Sequence, residues 1–467
     1  MSSPNTHIGA SAIAKLLGGV DSIYFIGIGG ISMSSLAMIS VRRGMRVGGY
    51  DRTRTTLTDQ LEHMGITVHN TIDPMHLDGF GAVVYTVAIP EQHAEYAEAK
   101  RRGLPLISRS DYLGYLMLDY AQRIGIAGSH GKSTATCMCA QIFMSAMSDP
   151  TVLSGAAMAS IGGAFRLGGN DTMVFEACEY KDSFLDFNPT VAVVLNAELD
   201  HVDYFHDIAQ LRASFAAFAE RAGESGAVVY NTDDAETVLA MQDVHVRRVT
   251  FGRRDVKADY VALNVRTERG FASFDLFCRG EKLGRVELRV PGEHNVYNAL
   301  AAAAAAHECG LRADSIVRGL GEFCGASRRM EYKGRLNGAI VYDDYGHHPT
   351  EVATTLREAT ALSGGRLICA FQPHTYSRTA TLFDEYITAL RQADYSIVAP
   401  IYAARETDTL GMSPRVIADA VGRERAVGFD DMAAVAAELA RVAEPADTVV
   451  IMGAGDIDGI YGLLELT

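Results

Sequence analysis

A glycine-rich loop in the first third of the chain combines the residue types that phosphate binding requires. It consists of Gly128, Ser129, His130, Gly131, Lys132, Ser133 and Thr134. In such a loop, backbone N–H groups contact phosphate oxygens, the lysine neutralises the β- and γ-phosphates, and the serine hydroxyl can reach Mg²⁺. The standard spacing would need glycine at Ile126, so this loop is a P-loop variant. Because it follows a predicted strand and opens a helical pattern, we expect it to bind a nucleoside triphosphate.

Acidic residues follow the next two predicted strands of this region. Glu176 lies in the strand predicted at 173–177, and the acidic run 198–203, which includes His201, follows the strand predicted at 191–195. The carboxyl ends of parallel strands meet at one edge of a sheet, so these groups should face the P-loop. Carboxylate oxygens are the ligands that Mg²⁺ prefers, which makes this edge a candidate magnesium site. A packing or hydrogen-bonding role remains an alternative for His201.

A second glycine-rich turn lies near the N-terminus. It comprises Gly27, Gly29 and Gly30 and is followed by Ile31 and Ser32. It resembles a dinucleotide fingerprint, with Asp51 near the place of the ribose-binding acid, but serine replaces the third glycine. A helix N-terminus of this kind suits a diphosphate whichever nucleotide carries it. The alternative is a tight turn that needs glycine only for its backbone conformation.

The second half of the chain has three further polar motifs. His294, Asn295 and Asn298 open an alanine-rich helical pattern; Asp343, Tyr345 and His347 follow a predicted strand; His374 and Arg378 follow another. Arginine can bind a carboxylate through two parallel hydrogen bonds. Asn295 also fits a helix N-cap, and the paired histidines also fit a turn that starts a helix at Pro349.

The composition restricts the class of protein. The 467 residues are 48% hydrophobic and 21% charged, a length typical of about three globular domains. The chain has 42 Lys and Arg against 57 Asp and Glu, and the net charge of −15 disfavours binding to nucleic acid or an anionic membrane. The seven cysteines form no C-x-x-C pair, and we recognise no signal peptide or membrane span. We therefore expect a cytoplasmic protein.

Short apolar runs alternate with helical patterns along the chain, which predicts an α/β fold with parallel sheets flanked by helices. Separate series of strands begin near residues 22, 122 and 339, and the stretch 261–288 alternates like antiparallel strands. We predict three domains, at 1–119, 120–329 and 330–467.

These motifs together resemble those of the Mur ligases of peptidoglycan synthesis. The resemblance covers nearly the whole chain, and its motifs occur in the order found in that family. They lie at 27–34, 128–133, 176–179, 200–201, 294–298, 327–331, 343–349, 371–378 and 453–456. The runs D-D-Y-G-H-H-P-T-E at 343–351 and F-Q-P-H-T-Y-S-R-T at 371–379 resemble the branch that handles UDP-N-acetylmuramate.

The resemblance implies an architecture and a role for each motif. A Rossmann-like N-terminal domain would hold the UDP-sugar, a central P-loop ATPase-like domain would hold MgATP, and a Rossmann-like C-terminal domain would hold the amino acid.

The resemblance also implies roles for individual residues. The substrate diphosphate would lie on Gly27, Gly29, Gly30, Ile31 and Ser32. Lys132 would contact the phosphates of ATP, Ser133 one metal ion, and Glu176 and His201 a second. The residues that serve the adenine nucleotide, ATP, would be His294, Asn295, Asn298, Arg329 and Asp343. The amino-acid pocket would include Tyr345, His347, His374 and Arg378.

The implied reaction joins L-alanine to the carboxylate of UDP-N-acetylmuramate through an acyl phosphate, with ATP and Mg²⁺, in a monomer or homodimer. Two features depart from the common family pattern: Ser133 replaces a threonine, and Cys178 lies in an otherwise acidic run. The stretch 211–221 has no lysine, whereas other Mur ligases have a carbamylated lysine in this region, and this resembles the alanine-adding branch.

Three alternatives compete with that function. A muropeptide-recycling ligase would use the same nucleotide sugar but add a preformed tripeptide. An NAD(P)-dependent dehydrogenase would use the glycine-rich turn near the N-terminus and leave the P-loop unexplained. A non-catalytic scaffold would bind ATP without turnover.

Overall fold

The computed structural model describes residues 4–201, 204–404 and 406–467. These residues form three sheets of five, ten and six strands, with helices between many, but not all, of the successive strands. Most strand pairs in the three sheets are parallel, which confirms the predicted α/β class. No helix in the described ranges is both long enough and apolar enough to cross a membrane.

The N-terminal sheet has the strand order β3-β2-β1-β4-β5, and its strands pair in parallel. Its strands are β1 (Ser22–Ile26), β2 (Arg46–Tyr50), β3 (Thr67–His69), β4 (Ala82–Tyr85) and β5 (Leu106–Ser108). Its helices are α1 (Ala10–Leu16), α2 (Ile31–Arg42), α3 (Thr56–His63), α4 (Ala94–Arg102) and α5 (Arg109–Leu116). Ile26 pairs with both Tyr50 and Tyr85, so the carboxyl ends of three strands lie at one edge.

The central sheet has the order β15-β14-β13-β12-β11-β10-β6-β9-β7-β8. Its first strands are β6 (Gln122–Ala127), β7 (Thr151–Met158), β8 (Gly163–Arg166), β9 (Thr172–Glu176) and β10 (Val191–Val194). The others are β11 (Ala227–Asn231), β12 (Arg247–Gly252), β13 (Tyr260–Glu268), β14 (Phe271–Cys278) and β15 (Glu281–Pro291). The helices that follow these strands are α6 (Lys132–Ser145), α7 (Ile208–Glu220), α8 (Ala235–Ala240), α9 (His294–Glu308) and α10 (Ala313–Glu322).

The register of the central sheet brings the predicted motifs to one edge. Ile126 of β6 pairs with Glu176 of β9, and Ala127 pairs with Val194 of β10. Since the three strands are parallel, the loops that follow them meet at the carboxyl end of β6.

The C-terminal sheet has the order β16-β17-β21-β18-β19-β20. Its strands are β16 (Glu331–Leu336), β17 (Ala339–Asp344), β18 (Leu367–Phe371), β19 (Tyr395–Val398), β20 (Ala426–Gly428) and β21 (Thr448–Met452). Its helices are α11 (Pro349–Leu362), α12 (Tyr376–Thr381), α13 (Phe383–Leu390), α14 (Pro414–Val421) and α15 (Met432–Val442). Asp344 and Phe371 both pair with Met452, so the loops after β17 and β18 also share an edge.

Burial explains why these segments form strands and helices. All five residues of β18 are buried, with Leu367, Cys369 and Phe371 in one core cluster and Ile368 and Ala370 in another. This alternation means that both faces of the strand are covered, as is usual in a parallel sheet. Helix α9 contains the six consecutive alanines 301–306, each 0% exposed.

The chain forms two compact units. The first comprises Met1–Val261, Phe277–Gly284 and Tyr297–Gly319. The second comprises Ala262–Leu276, Arg285–Val296 and Leu320–Thr467. The domain boundaries at 119/120 and 329/330 stay a prediction.

Candidate active site

The P-loop connects the end of β6 to the start of α6, and two of its glycines are required by geometry. Gly128 and Gly131 have φ of 138° and 84°, in the region that favours glycine. A Cβ on Gly131 would lie 2.5 Å from Oδ1 of Asn298, and one on Gly128 would lie 2.9 Å from Cβ of Leu195. The structure therefore brings Asn298, a predicted ATP-site residue, directly against the P-loop.

The loop after β10 fixes the P-loop through paired hydrogen bonds. Ser129 Oγ donates to the carbonyl of Glu198 (2.7 Å) and accepts from its N–H (2.9 Å). Asn196 accepts from the N–H of His130 through its side-chain oxygen (2.8 Å) and donates to the carbonyl of His130 (3.0 Å). Sequence analysis did not identify Asn196. The sequence feature that could have identified Asn196 is its position just after β10, the strand that pairs with β6.

Lys132, at the first position of α6, is held by its own loop and by an acid. Its Nζ donates to the carbonyls of Gly128 (2.6 Å) and Ser129 (3.1 Å) and lies 3.0 Å from Oε2 of Glu179. The side chains of Lys132 and Glu179 are 13% and 1% exposed. Burial acts to lower the pKa of Lys132, but Glu179 and the other negative groups around it together outweigh burial, and the pKa lies above its ordinary value. The lysine is therefore a fixed cation at the phosphate loop.

Glu179 is another functional candidate that was not singled out from the sequence. It lies in the run 176–179 that carried the resemblance, and no role was assigned to it. Its Oε1 also lies 3.7 Å from Nε2 of His201. The ring of Tyr180 packs against His201 with a centroid distance of 4.8 Å, and His201 has a φ of 52°. The structure thus groups Lys132, Glu179 and His201.

Glu176 occupies a neighbouring position at the end of β9. One of its carboxylate oxygens accepts from the N–H of Gly155 (3.0 Å), and its charge contributes to the raised pKa of Lys132. Ser133 and Thr134 are buried in the first turn of α6. Val202 and Asp203, the end of the acidic run, lie outside the described residues.

The N-terminal glycine loop is held by Asp51, an acid that directly follows the adjacent strand β2. Gly27 has a φ of 87°, and Gly30 is the N-cap of α2. The N–H of Gly29 donates to Oδ2 of Asp51 (2.9 Å), and a Cβ on Gly29 would lie 2.9 Å from that carboxylate. Asp51 also accepts from the N–H of Thr53 (3.0 Å). The carboxylate that sequence analysis placed beside a ribose is thus engaged in shaping the loop.

A cleft of about 160 Å³ lies in the first unit beside this loop. Its lining includes Ile31, Ser32, Arg109, Glu176 and Cys178. Two motifs that are far apart in sequence, the glycine loop and the acidic strand end, therefore face one space. Arg109 was not among the predicted site residues.

The second unit contains the other predicted site residues. These are His294, Asn295, Arg329, Asp343, Tyr345, His347, His374 and Arg378. Nδ1 of His294 forms an ion pair with Oε1 of Glu358. Burial acts to lower the pKa of His294, and the carboxylate of Glu358 raises it above the ordinary value of 6.5. Asn295 is buried and donates to the carbonyl of Pro291 (2.6 Å), a structural contact.

Two arginines and two aspartates lie around Tyr345 at the end of β17. The guanidinium carbons of Arg328 and Arg329 each lie 5.2 Å from the centroid of the Tyr345 ring. Nε of Arg328 lies 3.5 Å from Oδ1 of Asp343. Burial raises the pKa of Asp343 to about 6, although Arg328 opposes this. The neighbouring Asp344 accepts from the N–H groups of Gly346 (2.8 Å) and Met330 (2.9 Å).

The two loops after β17 and β18 bring three predicted pocket residues together. The rings of His347 and His374 lie 5.7 Å apart, and those of Tyr345 and His347 lie 5.8 Å apart. Arg378 lies on α12, whose N-cap Thr375 has a φ of 64° and accepts from the N–H of Arg378. This grouping suits a small polar ligand.

Each of these loops is fixed by a carboxylate. Glu351 accepts from the N–H groups of His347 (3.0 Å) and His348 (3.2 Å). Glu406 accepts from the N–H groups of Tyr376 (2.6 Å) and Ser377 (3.0 Å). Sequence analysis identified neither acid as a support for the pocket.

Comparison with known proteins identifies the class to which this fold and site belong. Three family models match in succession: "Mur ligase family, catalytic domain" at 22–121, "Mur ligase middle domain" at 126–306, and "Mur ligase, glutamate ligase domain" at 328–455. The chain belongs to the Mur ligase family, which confirms the resemblance seen in its motifs.

The three relatives described next, all similar to this chain over most of its length, are named for the same activity within the Mur ligase family. The chain is 42% identical to the UDP-N-acetylmuramate–L-alanine ligase of Lachnospira eligens, over 93% of this chain and 96% of the relative. It is 40% identical to the enzyme of the same name from Caldicellulosiruptor saccharolyticus, over 95% and 98%. The solved UDP-N-acetylmuramate–alanine ligase of Thermotoga maritima superposes with a TM-score of 0.77 at 25% identity, covering 94% of this chain and 97% of that one.

Proposed function

We propose that this protein joins L-alanine to the carboxylate of UDP-N-acetylmuramate at the expense of ATP, a step of peptidoglycan synthesis. Relatives that carry this name match nearly the whole chain at 40% and 42% identity. The observation that carries the reaction type is the P-loop, where Lys132 is held by two loop carbonyls and Glu179. A fixed ammonium beside a backbone cradle is suited to the phosphates of ATP.

The proposed reaction has two steps. A carboxylate oxygen of the nucleotide sugar attacks the γ-phosphorus of ATP, the bond to the β-γ bridging oxygen breaks, and ADP leaves. The neutral amine of L-alanine then attacks the carbonyl carbon of the acyl phosphate, phosphate leaves, and the amine gives up a proton as the amide forms.

The residues of the chain orient the reactants and stabilise charge. The N–H groups at the start of α6 and the ammonium of Lys132 contact the phosphates, where negative charge must be neutralised. The glycine loop 27–30 binds the diphosphate of the sugar nucleotide, together with Ile31 and Ser32. Asn298, which lies against Gly131 of the P-loop, is proposed to help form the ATP site. His294, Asn295, Arg329 and Asp343 are proposed to serve the same site.

The amino acid is proposed to bind at the two loops after β17 and β18. Arg378 would pair with the carboxylate of L-alanine, and Tyr345, His347 and His374 would enclose the small side chain. Two parallel hydrogen bonds from a guanidinium fix both carboxylate oxygens, which aims the amine.

The residues at the P-loop edge fit a magnesium ion. Ser133 and Glu176 offer oxygen donors, and only one oxygen of Glu176 has a hydrogen-bond partner among the described residues. We propose that Ser133 holds one metal ion and that Glu176 and His201 hold a second, with Glu179 adding negative charge nearby. When bound, the metal would neutralise phosphate charge during transfer.

We further propose that the protein acts in the cytoplasm, where ATP is available, as a monomer or homodimer. None of the seven cysteines, all of which lie in the described ranges, is in a disulfide bond, which fits a reducing compartment. The division into domains at 1–119, 120–329 and 330–467 belongs to the same proposal.

The decisive experiment measures phosphate release from the purified protein with ATP, Mg²⁺, UDP-N-acetylmuramate and L-alanine. We expect release only when all four are present, together with a product heavier than the nucleotide sugar by one alanine residue. Release with the tripeptide L-alanyl-γ-D-glutamyl-diaminopimelate in place of L-alanine would favour the recycling ligase instead. No release with either would favour a scaffold, and oxidation of NADH would favour a dehydrogenase.

A further inference from the structure

Arg109 occupies an unusual position for an arginine. It is the first residue of α5, it is partly buried, and it lines the cleft that also contains Ser32 and Glu176. Its Nη1 donates to Oγ of Ser32 (3.1 Å), a residue 77 positions earlier in the chain. The guanidinium is thus held at the start of α2, beside the N-terminal glycine loop.

Within the described part of the chain, this guanidinium lacks an acidic partner. Among the described residues, no carboxylate oxygen lies within the 4.0 Å ion-pair distance of Arg109. By contrast, Arg43, which directly follows helix α2, forms an ion pair with Asp119 at 2.9 Å. Burial lowers the pKa of Arg109, which reflects the cost of removing its charge from water. Buried charges are normally paired, so an unpaired one that lines an open cleft indicates a site for an external anion.

We propose that Arg109 binds an anionic group of the nucleotide-sugar substrate, either its diphosphate or the carboxylate that is to be phosphorylated. This inference rests on the proposed function and names a binding residue for it. The diphosphate would lie on the side of Ser32 and the N-terminus of α2, and the carboxylate on the side of Glu176. Both are anions that a guanidinium binds through two parallel hydrogen bonds.

The thermal stability of the free protein separates a binding role from a structural one. An arginine that holds the fold together destabilises the protein when it is removed. An unpaired, desolvated arginine is a burden in the free protein, so Arg109→Met should keep or raise the melting temperature while it weakens binding.

Arg123 provides a matched control. It also lies in the first unit, and burial also lowers its pKa. Its guanidinium is satisfied by the carbonyls of Asn188 (2.5 Å) and Tyr120 (2.6 Å), and it does not line the cleft. Arg123→Lys should therefore lower the melting temperature and leave substrate affinity unchanged.

The experiment measures calorimetric binding of UDP-N-acetylmuramate, UDP-N-acetylglucosamine and UDP to wild type, Arg109→Met, Arg109→Lys and Arg123→Lys. We expect Arg109→Met to weaken UDP-N-acetylmuramate binding about tenfold or more, and Arg109→Lys to recover part of it. If the diphosphate is the partner, all three ligands weaken together. If the carboxylate is the partner, only UDP-N-acetylmuramate weakens.

Two outcomes would overturn the inference. One is unchanged affinity of Arg109→Met for all three ligands. The other is weaker binding accompanied by a melting temperature that falls as it does in Arg123→Lys. The proposed function is tested separately by turnover of the wild type, so a normal wild type with an unaffected Arg109→Met removes only this inference.

Discussion

The P-loop and the N-terminal glycine loop are both strand-to-helix turns, yet they obtain positive charge in different ways. Lys132 belongs to its loop and is paired with Glu179 at 3.0 Å. Arg109 comes from a different helix, and its side-chain hydrogen bond within the described residues goes to the hydroxyl of Ser32 at the N-terminal glycine loop. The paired lysine is fixed before a ligand arrives, whereas the unpaired arginine gains its counter-charge from the ligand. A cation in a binding site can thus be held in place by an acid of the protein itself, or it can be neutralised only when an anionic substrate binds.

The largest effect tests the P-loop side of this comparison. Lys132→Ala removes the fixed cation from a cradle otherwise made of backbone, and we expect turnover to fall by about 10²-fold or more. The variant should remain folded by circular dichroism. Near-normal phosphate release from the folded variant would contradict a role for Lys132 in the reaction.

The second prediction tests whether Glu179 prepares Lys132. Glu179→Gln keeps the size of the side chain but leaves a buried cation without its partner, so we expect a loss of about 3 kcal/mol in the free energy of unfolding. ATP supplies replacement anions, and its addition should raise the melting temperature more in the variant than in wild type.

The control for Glu179→Gln is Asp59→Asn. Its partner Arg54 has a side chain that is 66% exposed, and such surface pairs contribute little to stability. Equal destabilisation by the two variants, or no additional effect of ATP, would contradict the preparatory role.

The third prediction separates the two acids at the end of β9. Glu176→Gln should raise the Mg²⁺ concentration needed for half-maximal turnover about tenfold with little change in stability, because metal affinity depends on ligand charge. A Mg²⁺ titration and thermal melting of the same sample measure both quantities. His201→Ala, run beside it, tests the histidine ligand; an unchanged titration in both would reject this metal site.

The fourth prediction extends the comparison to the second unit. Arg378→Lys keeps the charge but loses the planar fork, so we expect the KM for L-alanine to rise about tenfold while those for ATP and UDP-N-acetylmuramate change little. Arg423→Lys is the control, since its side chain is 84% exposed. A lower melting temperature with a normal KM for L-alanine would make Arg378 a structural residue.

The smallest effect concerns a cation that is paired but half exposed. The side chain of His294 is 42% exposed, and Glu358 raises its pKa above 6.5. The pair therefore stabilises the fold fully below that value and loses its contribution as pH rises through the raised pKa of His294. Glu358→Gln should lower the melting temperature by a few degrees at about pH 6 and by less at about pH 9.

An NMR titration gives the direct check on this pair. The midpoint of His294 should lie above 6.5 in wild type and move down in Glu358→Gln. A midpoint that does not move would show that Glu358 does not set it.

The parts of the site that could be predicted from the sequence are those formed by residues close together in the chain. The P-loop and the glycine turn each follow directly from a strand, a glycine and a helix start within about ten residues. The convergence of Glu176 with the P-loop was also predictable, because parallel strands share their carboxyl edge. In each case the physical rule acts over a short stretch of chain or along a known strand direction.

The unpredicted parts depend on long-range contacts or unusual backbone. Glu179 turns toward Lys132 just before Lys181 and Asp182, whose φ values of 55° and 54° no sequence pattern indicated. Arg109 meets Ser32 across 77 residues, through the packing of α5 near α2. Glu406 reaches the α12 segment from 30 residues away. Nothing in residue type alone distinguishes these side chains from solvated surface charges.

The six buried alanines of α9 have a consequence for how the protein tolerates mutation. Each of residues 301–306 is 0% exposed, so neighbouring segments approach the helix backbone around more than one full turn. Nearly every substitution there adds volume, and such overpacking typically costs about 1–3 kcal/mol. The segment lies three residues beyond Asn298, which touches Gly131 of the P-loop. Mutations that make the protein temperature-sensitive should therefore concentrate at residues 301–306, although the side chains of these alanines take no part in the reaction.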